Sequence, residues 1–90
     1  TQKARQLGMN STVFKNASGL PNREQRTTAR DLAVLALALN KHFPQYYSYF
    51  KVTEFAFNGN TYKTHNRVLL NYPGCDGLKT GFINASGVNL

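Results

Sequence analysis

Lys79, Thr80 and Gly81 follow one another inside Gly77-Leu78-Lys79-Thr80-Gly81, placing a cation, a hydroxyl and a bare piece of backbone side by side. Lysine offers a compact ammonium with three donors, and threonine a hydroxyl on a stiff stem. Glycine removes the side chain that would keep another backbone at a distance. Such a set suits gripping a carboxylate beside a peptide. The run lies between a Gly74-Cys75-Asp76 turn and the apolar pair Phe82-Ile83, and it reads as a short strand. The same three letters also occur at ordinary strand ends, so the surrounding chain has to decide what they mean.

The elements that would position this run are legible from period and punctuation. Thr28 can cap a helix whose early Asp31 comes close to a capping box, and Leu32, Leu35, Ala36, Leu39 and Phe43 then recur at helical spacing, predicting a helix over 29–42. Pro44 ends that helix and is suited to open a second, short one over Pro44-Gln45-Tyr46-Tyr47-Ser48-Tyr49-Phe50. From Val52 the period falls to two. Asn58-Gly59-Asn60 then offers positive φ for a tight turn into Thr61-Tyr62-Lys63, which predicts a hairpin. Val68-Leu69-Leu70 is expected as one buried turn. Near the start, Gln2–Gly8 resembles the closing turns of a helix with Gly8 as its left-handed end. The following loop would be pinned to a core by Met9, Val13, Phe14 and Leu20. Gly87-Val88-Asn89-Leu90 begins an alternating strand shorter than the usual 5–6 residues or so. These ends predict an internal fragment of one larger domain spanning residues 1–90.

Composition excludes some functions and leaves others. An apolar fraction of 41% and an aromatic fraction of 12% belong to a globular chain rather than a disordered one. Eleven Lys and Arg against four Asp and Glu give a formal charge of +7. That excess could meet nucleic acid, membrane headgroups or an anionic polymer. The cations are scattered from Lys3 to Lys79 without a block, which argues for a solvated basic face and against nucleic acid. Cys75 is the single cysteine, so no internal disulfide and no cysteine-based metal site is expected. No apolar run approaches the ~20 residues of a membrane span.

Lys-Thr-Gly is one of three signatures of penicillin-recognising serine acyl enzymes, beside S-x-x-K and S-x-N. Around it, the chain carries Leu7-Gly8-Met9, Ser18-Gly19-Leu20-Pro21 and Thr28-Ala29-Arg30-Asp31-Leu32-Ala33. Phe43-Pro44-x-Tyr46-Tyr47, Asp76-Gly77-Leu78-Lys79-Thr80-Gly81-Phe82 and Ala85-Ser86-Gly87-x-Asn89-Leu90 follow in order. Over nearly its whole length the chain resembles the serine D-alanyl-D-alanine carboxypeptidases, low-molecular-mass penicillin-binding proteins of the bacterial envelope.

The resemblance implies an α+β fold, a fragment of the β-lactamase and transpeptidase type with an antiparallel sheet flanked by helices. It implies acyl transfer: a serine attacks the bond between terminal D-alanines of a peptidoglycan stem peptide, and water releases the acyl enzyme. β-Lactam antibiotics would acylate the same serine. Lys79 is then the catalytic cation that charges the nucleophile's surroundings and helps move its proton, and Thr80 donates to the substrate carboxylate. Gly81 lets the substrate lie along a strand edge, and the Phe82 amide is one of two oxyanion donors. Some relatives have histidine where Phe82 stands; the amide role survives that change and a side-chain role does not. His65 and Arg67 are alternative candidates for a basic group that helps hold the carboxylate, each also open to a packing role.

In the family, the nucleophile and the S-x-N motif precede the region where this chain begins, so the fragment alone is expected to be inactive. Ser48-Tyr49-Phe50-Lys51 fits S-x-x-K, but it stands in the wrong order and in an aromatic stretch. No metal and no cofactor is implied. The resemblance places the parent in the periplasmic or extracytoplasmic envelope and leaves room for membrane association. The alternatives are a β-lactamase or transpeptidase of the same fold, a relative that has lost catalysis, and a non-catalytic basic module that binds anionic envelope polymers.

Overall fold

In the computed structural model, which describes residues 1–90, Thr28 caps the longest helix as its sequence predicts. Its backbone is extended and its hydroxyl accepts the Asp31 N–H at 3.0 Å. Helix α2 runs Ala29–His42, with Lys41 and His42 in its last turn, where the helix dipole favours positive charge. Before it, α1 (Gln2–Gln6) ends through Gly8 at φ +94°, the left-handed conformation that glycine adopts without steric cost. These elements belong to the first of two units, Thr1–Pro44.

The loop between α1 and α2 is held by polar contacts more than by apolar ones. Val13 and Arg26 exchange backbone hydrogen bonds of 2.8 and 3.0 Å, closing a loop whose interior satisfies itself. Gln25 Oε1 accepts from the Lys15 and Asn16 amides, and Asn16 donates to the Leu20 carbonyl. Asp31 departs from a reciprocal capping box. Its Oδ2 accepts from the Ser11 amide at 2.9 Å and the Thr12 hydroxyl at 2.6 Å, so the carboxylate stitches the loop to α2. Thr12 has one proton and spends it on Asp31, so in the 2.8 Å contact between the two threonine hydroxyls Thr27 must be the donor.

Of the apolar residues expected to pin this loop, Met9 is fully buried and Val13 half-buried, whereas Phe14 and Leu20 stay exposed. On α2, Leu32, Leu35, Ala36 and Leu39 are half-buried, and Phe43 is exposed. The apolar core consists of Met9 and Ala4 alone.

The second unit, Gln45–Leu90, is led by the short helix α3 (Pro44–Tyr47), which tightens into a 3₁₀ turn over Ser48–Lys51. Strands β1 (Glu54–Phe57) and β2 (Asn60–Lys63) form the expected hairpin, with Asn58 and Gly59 at φ +50° and +78°. Two successive positive φ angles match the right-handed twist of the strands they join. Phe55 faces Tyr62 in register, and their rings stack at 5.2 Å. Helix α4 (Arg67–Asn71) replaces the buried turn anticipated at Val68-Leu69-Leu70. The turn forms, but Val68 and Leu70 are about half exposed and only Leu69 is covered further.

Strands β3 (Gly81–Ile83) and β4 (Gly87–Asn89) pair antiparallel as a second two-stranded sheet. Sequence reading puts residues 77–81 in a strand, whereas the ladder begins only at Gly81. Residues 77–80 face no partner strand here, and the Gly77 carbonyl accepts from side chains instead of from a ladder. Helices with small antiparallel sheets make the α+β class that was expected.

Candidate active site

Lys79 and Thr80 sit on the irregular approach to β3, and what fixes that approach lies upstream. Asn66 caps α4 with its Oδ1, which accepts the Leu69 N–H at 3.2 Å, while its Nδ2 donates to the Gly77 carbonyl at 3.3 Å. The Cys75 thiol reaches the same carbonyl at 3.3 Å. On its other side Gly77 is pressed against the 3₁₀ turn: a Cβ added there would lie 2.7 Å from Phe50 Cβ. Phe50 itself packs edge-on to Tyr47, with ring centroids 5.3 Å apart. Burial, and then the negative charge of Asp76, hold the Tyr47 phenol above its ordinary pKa. Tyr47, Phe50, Asn66 and Cys75 thus clasp the residues immediately before Lys79.

Beyond the clasp the chain opens to solvent. Leu78 is half-buried, Lys79 exposed, Thr80 half-buried and Gly81 exposed. Lys79 lines an open groove of about 170 Å³ whose walls include Phe50, Val52, Phe55, Tyr62 and Leu78. Thr80, Gly81 and Phe82 are not part of its lining. The Lys79 ammonium folds back onto the Thr80 carbonyl at 2.6 Å. The Thr80 hydroxyl takes part in none of the chain's hydrogen bonds and is free to donate. The space beside Gly81 is open, with no atom within 4 Å of where a Cβ would stand. Phe82 is paired with Val88 and its ring is exposed.

The remaining candidates are separate from this groove. His65 and Arg67 flank Asn66, are exposed, and line none of the groove around Lys79. Ser48 donates to the Gln45 carbonyl at 3.2 Å, a local turn contact. No three His, Cys, Asp or Glu side chains converge well enough to hold a metal ion.

Sequence reading missed Asn66 and Gly77 as the organisers of the segment. Asparagine just before Arg67-Val68-Leu69-Leu70 was a usable cap signal, since Asn leads the N-cap preferences. The closeness of Phe50 to Gly77 is tertiary and leaves no local mark.

A family model described as D-alanyl-D-alanine carboxypeptidase matches residues 1–90. D-alanyl-D-alanine carboxypeptidase DacA of Escherichia coli is 39% identical over 85 residues, covering 93% of this chain and 21% of that protein. Among solved structures, penicillin binding protein 5 from Haemophilus influenzae aligns with 99% of this chain and 26% of its own, at a TM-score of 0.89 and 29% identity. Penicillin-binding protein D2 from Listeria monocytogenes, in its cefotaxime-bound form, aligns with 97% of this chain and 37% of its own, at a TM-score of 0.81 and 32% identity.

Proposed function

This chain belongs to the D-alanyl-D-alanine carboxypeptidase family, and from that premise we propose that it forms the Lys-Thr-Gly side of a serine carboxypeptidase active site. The substrate is a peptidoglycan stem peptide ending in D-Ala-D-Ala. A serine on polypeptide outside residues 1–90 attacks the carbonyl between the two alanines, the C–N bond breaks, and the terminal D-alanine leaves with a proton. Water then attacks the ester, and the serine is regenerated.

Within that reaction, Lys79 supplies positive charge near the nucleophile and eases its proton transfer. Thr80 donates its hydroxyl to the terminal carboxylate, a charge-assisted bond of the stronger kind. Gly81 admits the substrate backbone along the strand, and the Phe82 N–H stabilises the oxyanion of the tetrahedral intermediate. His65 or Arg67 helps hold the carboxylate from outside the groove. β-Lactams acylate the same serine, in keeping with the cefotaxime-bound relative. The parent works on the outer side of the bacterial cytoplasmic membrane, where its polymer is. No helix here is long and apolar enough to cross a membrane.

The observation that carries this reading is the free Thr80 hydroxyl directly beside the solvent-facing Lys79. A hydrogen bond to a charged group is worth about 1.5–3 kcal/mol, so Thr80→Val in the full-length protein lowers kcat/KM on a D-Ala-D-Ala peptide by roughly 10–150-fold. Affinity for an anionic polymer that ignores Thr80 but collapses with salt, without turnover, would point instead to a basic binding module. Long-lived against rapidly hydrolysed penicilloyl adducts separate a carboxypeptidase or transpeptidase from a β-lactamase. Isolated residues 1–90 are expected neither to cleave the peptide nor to be labelled by a fluorescent penicillin.

A further inference from the structure

We propose that Asn66 is a positioning residue for the carboxylate grip, acting through the Gly77 carbonyl on Lys79 and Thr80; this rests on the carboxypeptidase reading above. Residues 77–80 have no ladder, so nothing periodic fixes where the hydroxyl and the ammonium stand. The one N–H donor from another element that reaches them is Asn66 Nδ2, at 3.3 Å from the Gly77 carbonyl.

Asn66 is well suited to transmit a position. It is 4% exposed, the single buried residue of its unit, and its amide N–H and both polar atoms of its side chain are engaged. Its amide N–H donates to Thr64 Oγ1 at 3.1 Å, and its Oδ1 accepts from the Leu69 N–H. The orientation of the side-chain amide is dictated by its partners: a backbone N–H must meet oxygen, and a carbonyl must meet nitrogen. One side chain therefore caps α4 and, through its other end, anchors the segment two residues before Lys79. Swinging the Gly77 carbonyl by about 1 Å would move the Thr80 hydroxyl away from the carboxylate it serves, and misplacement on that scale costs up to about 100-fold in rate.

The cap and the anchor can be separated. Asn66→Ser keeps a good N-cap oxygen but is too short to reach Gly77; Asn66→Asp keeps the accepting oxygen and replaces the donating nitrogen by oxygen. The test uses the full-length protein and a carboxylate-bearing fluorescent penicillin, with the acylation rate constant measured for wild type, Asn66→Ser, Thr80→Val and the double variant. Thermal midpoints are recorded alongside to check folding.

The expected result is slower acylation in Asn66→Ser, by up to about 100-fold, with most of that loss absent in the Thr80→Val background because both changes spoil one grip. Asn66→Asp carries the same test should the serine variant unfold. Wild-type acylation in a folded Asn66 variant, or full multiplication of the two single effects, overturns the proposal. Wild-type acylation in Thr80→Val would instead overturn the carboxypeptidase reading itself.

Discussion

Gly77→Ala isolates the packing half of the clasp around the Lys-Thr-Gly segment. The backbone at Gly77 does not lie in the left-handed region, so alanine meets no conformational penalty and any cost comes from what its methyl touches. That methyl would stand 2.7 Å from Phe50 Cβ, 3.4 Å from Phe50 Cγ and 3.8 Å from the Phe50 carbonyl oxygen. The nearest atom is a Cβ, bound directly to the backbone of the 3₁₀ turn, so no rotamer change moves it aside. Either the turn or the segment must shift, and overpacking of this kind costs about 1–3 kcal/mol. For a domain of roughly 150–250 residues that corresponds to a fall of about 2–12 °C in Tm.

The identity of the clashing atom gives the experiment its edge. Phe50→Ala leaves the Cβ in place and does not relieve the clash, whereas Phe50→Gly does. Thermal or denaturant unfolding of the full-length protein in two double-mutant cycles therefore shows little coupling between Gly77→Ala and Phe50→Ala. It shows coupling of about 1–3 kcal/mol between Gly77→Ala and Phe50→Gly. Equal coupling in both cycles, or an alanine at 77 that leaves Tm unmoved, refutes the reasoning. Because the strain is applied two residues before Lys79, slower β-lactam acylation is expected to accompany the stability loss.

Two further outcomes follow from the polar contacts. Tyr47, whose phenol is held above its ordinary value of 10.0 by burial and then by Asp76, keeps a proton that the unfolded chain releases. Its contribution to stability is therefore fully present below about pH 10 and lost as pH rises through the folded value. Tyr47→Phe should flatten the alkaline limb of a Tm-against-pH curve, and an unchanged limb counts against a raised Tyr47 pKa in the folded protein. Asp31→Ala removes the acceptor of the Ser11 amide and the buried Thr12 hydroxyl and should cost at least about 1.5–3 kcal/mol in denaturant unfolding. Asp31→Asn should cost less, because both donors use one oxygen, which the amide retains; equal losses would remove the carboxyl oxygen from the explanation.

What was legible in the chain was whatever local chemistry decides. The bounds of α2 were readable because Thr28 and Pro44 are strong punctuation, and the β1–β2 hairpin because Asn58-Gly59 tolerates the two positive φ angles its turn requires. The family was readable because its motifs run in order along nearly the whole chain, as the match over residues 1–90 bears out. Less legible was anything set by a partner distant in sequence. The strand foreseen at 77–81 shortened because strand character needs a facing strand, and none pairs with 77–80. Phe14 and Leu20 look like core residues by type, yet their loop closes on itself through Asn16 and Gln25 and leaves them outside. His65 and Arg67 drew notice for their charge, while the neutral Asn66 between them is the residue that reaches toward Lys79.

The two units solve one problem by similar means, and the solution bears on function. With only Ala4 and Met9 buried among apolar residues, hydrophobic contact fixes little of the irregular chain, yet two long irregular stretches have defined paths. In each, a buried polar side chain at a helix N-terminus reaches outward: Asp31 to Ser11 and Thr12, Asn66 to Gly77. Apolar contact is nondirectional and tolerates sliding, whereas a buried amide or carboxylate is satisfied only in one arrangement and is costly to leave unpaired. A group that must meet a substrate carboxylate at hydrogen-bond distance needs the second kind of restraint. On that argument the position of the Thr80 hydroxyl is set less by the strand it precedes than by the polar anchor behind it. Substitutions at Asn66 should therefore be felt in acylation before they are felt in stability.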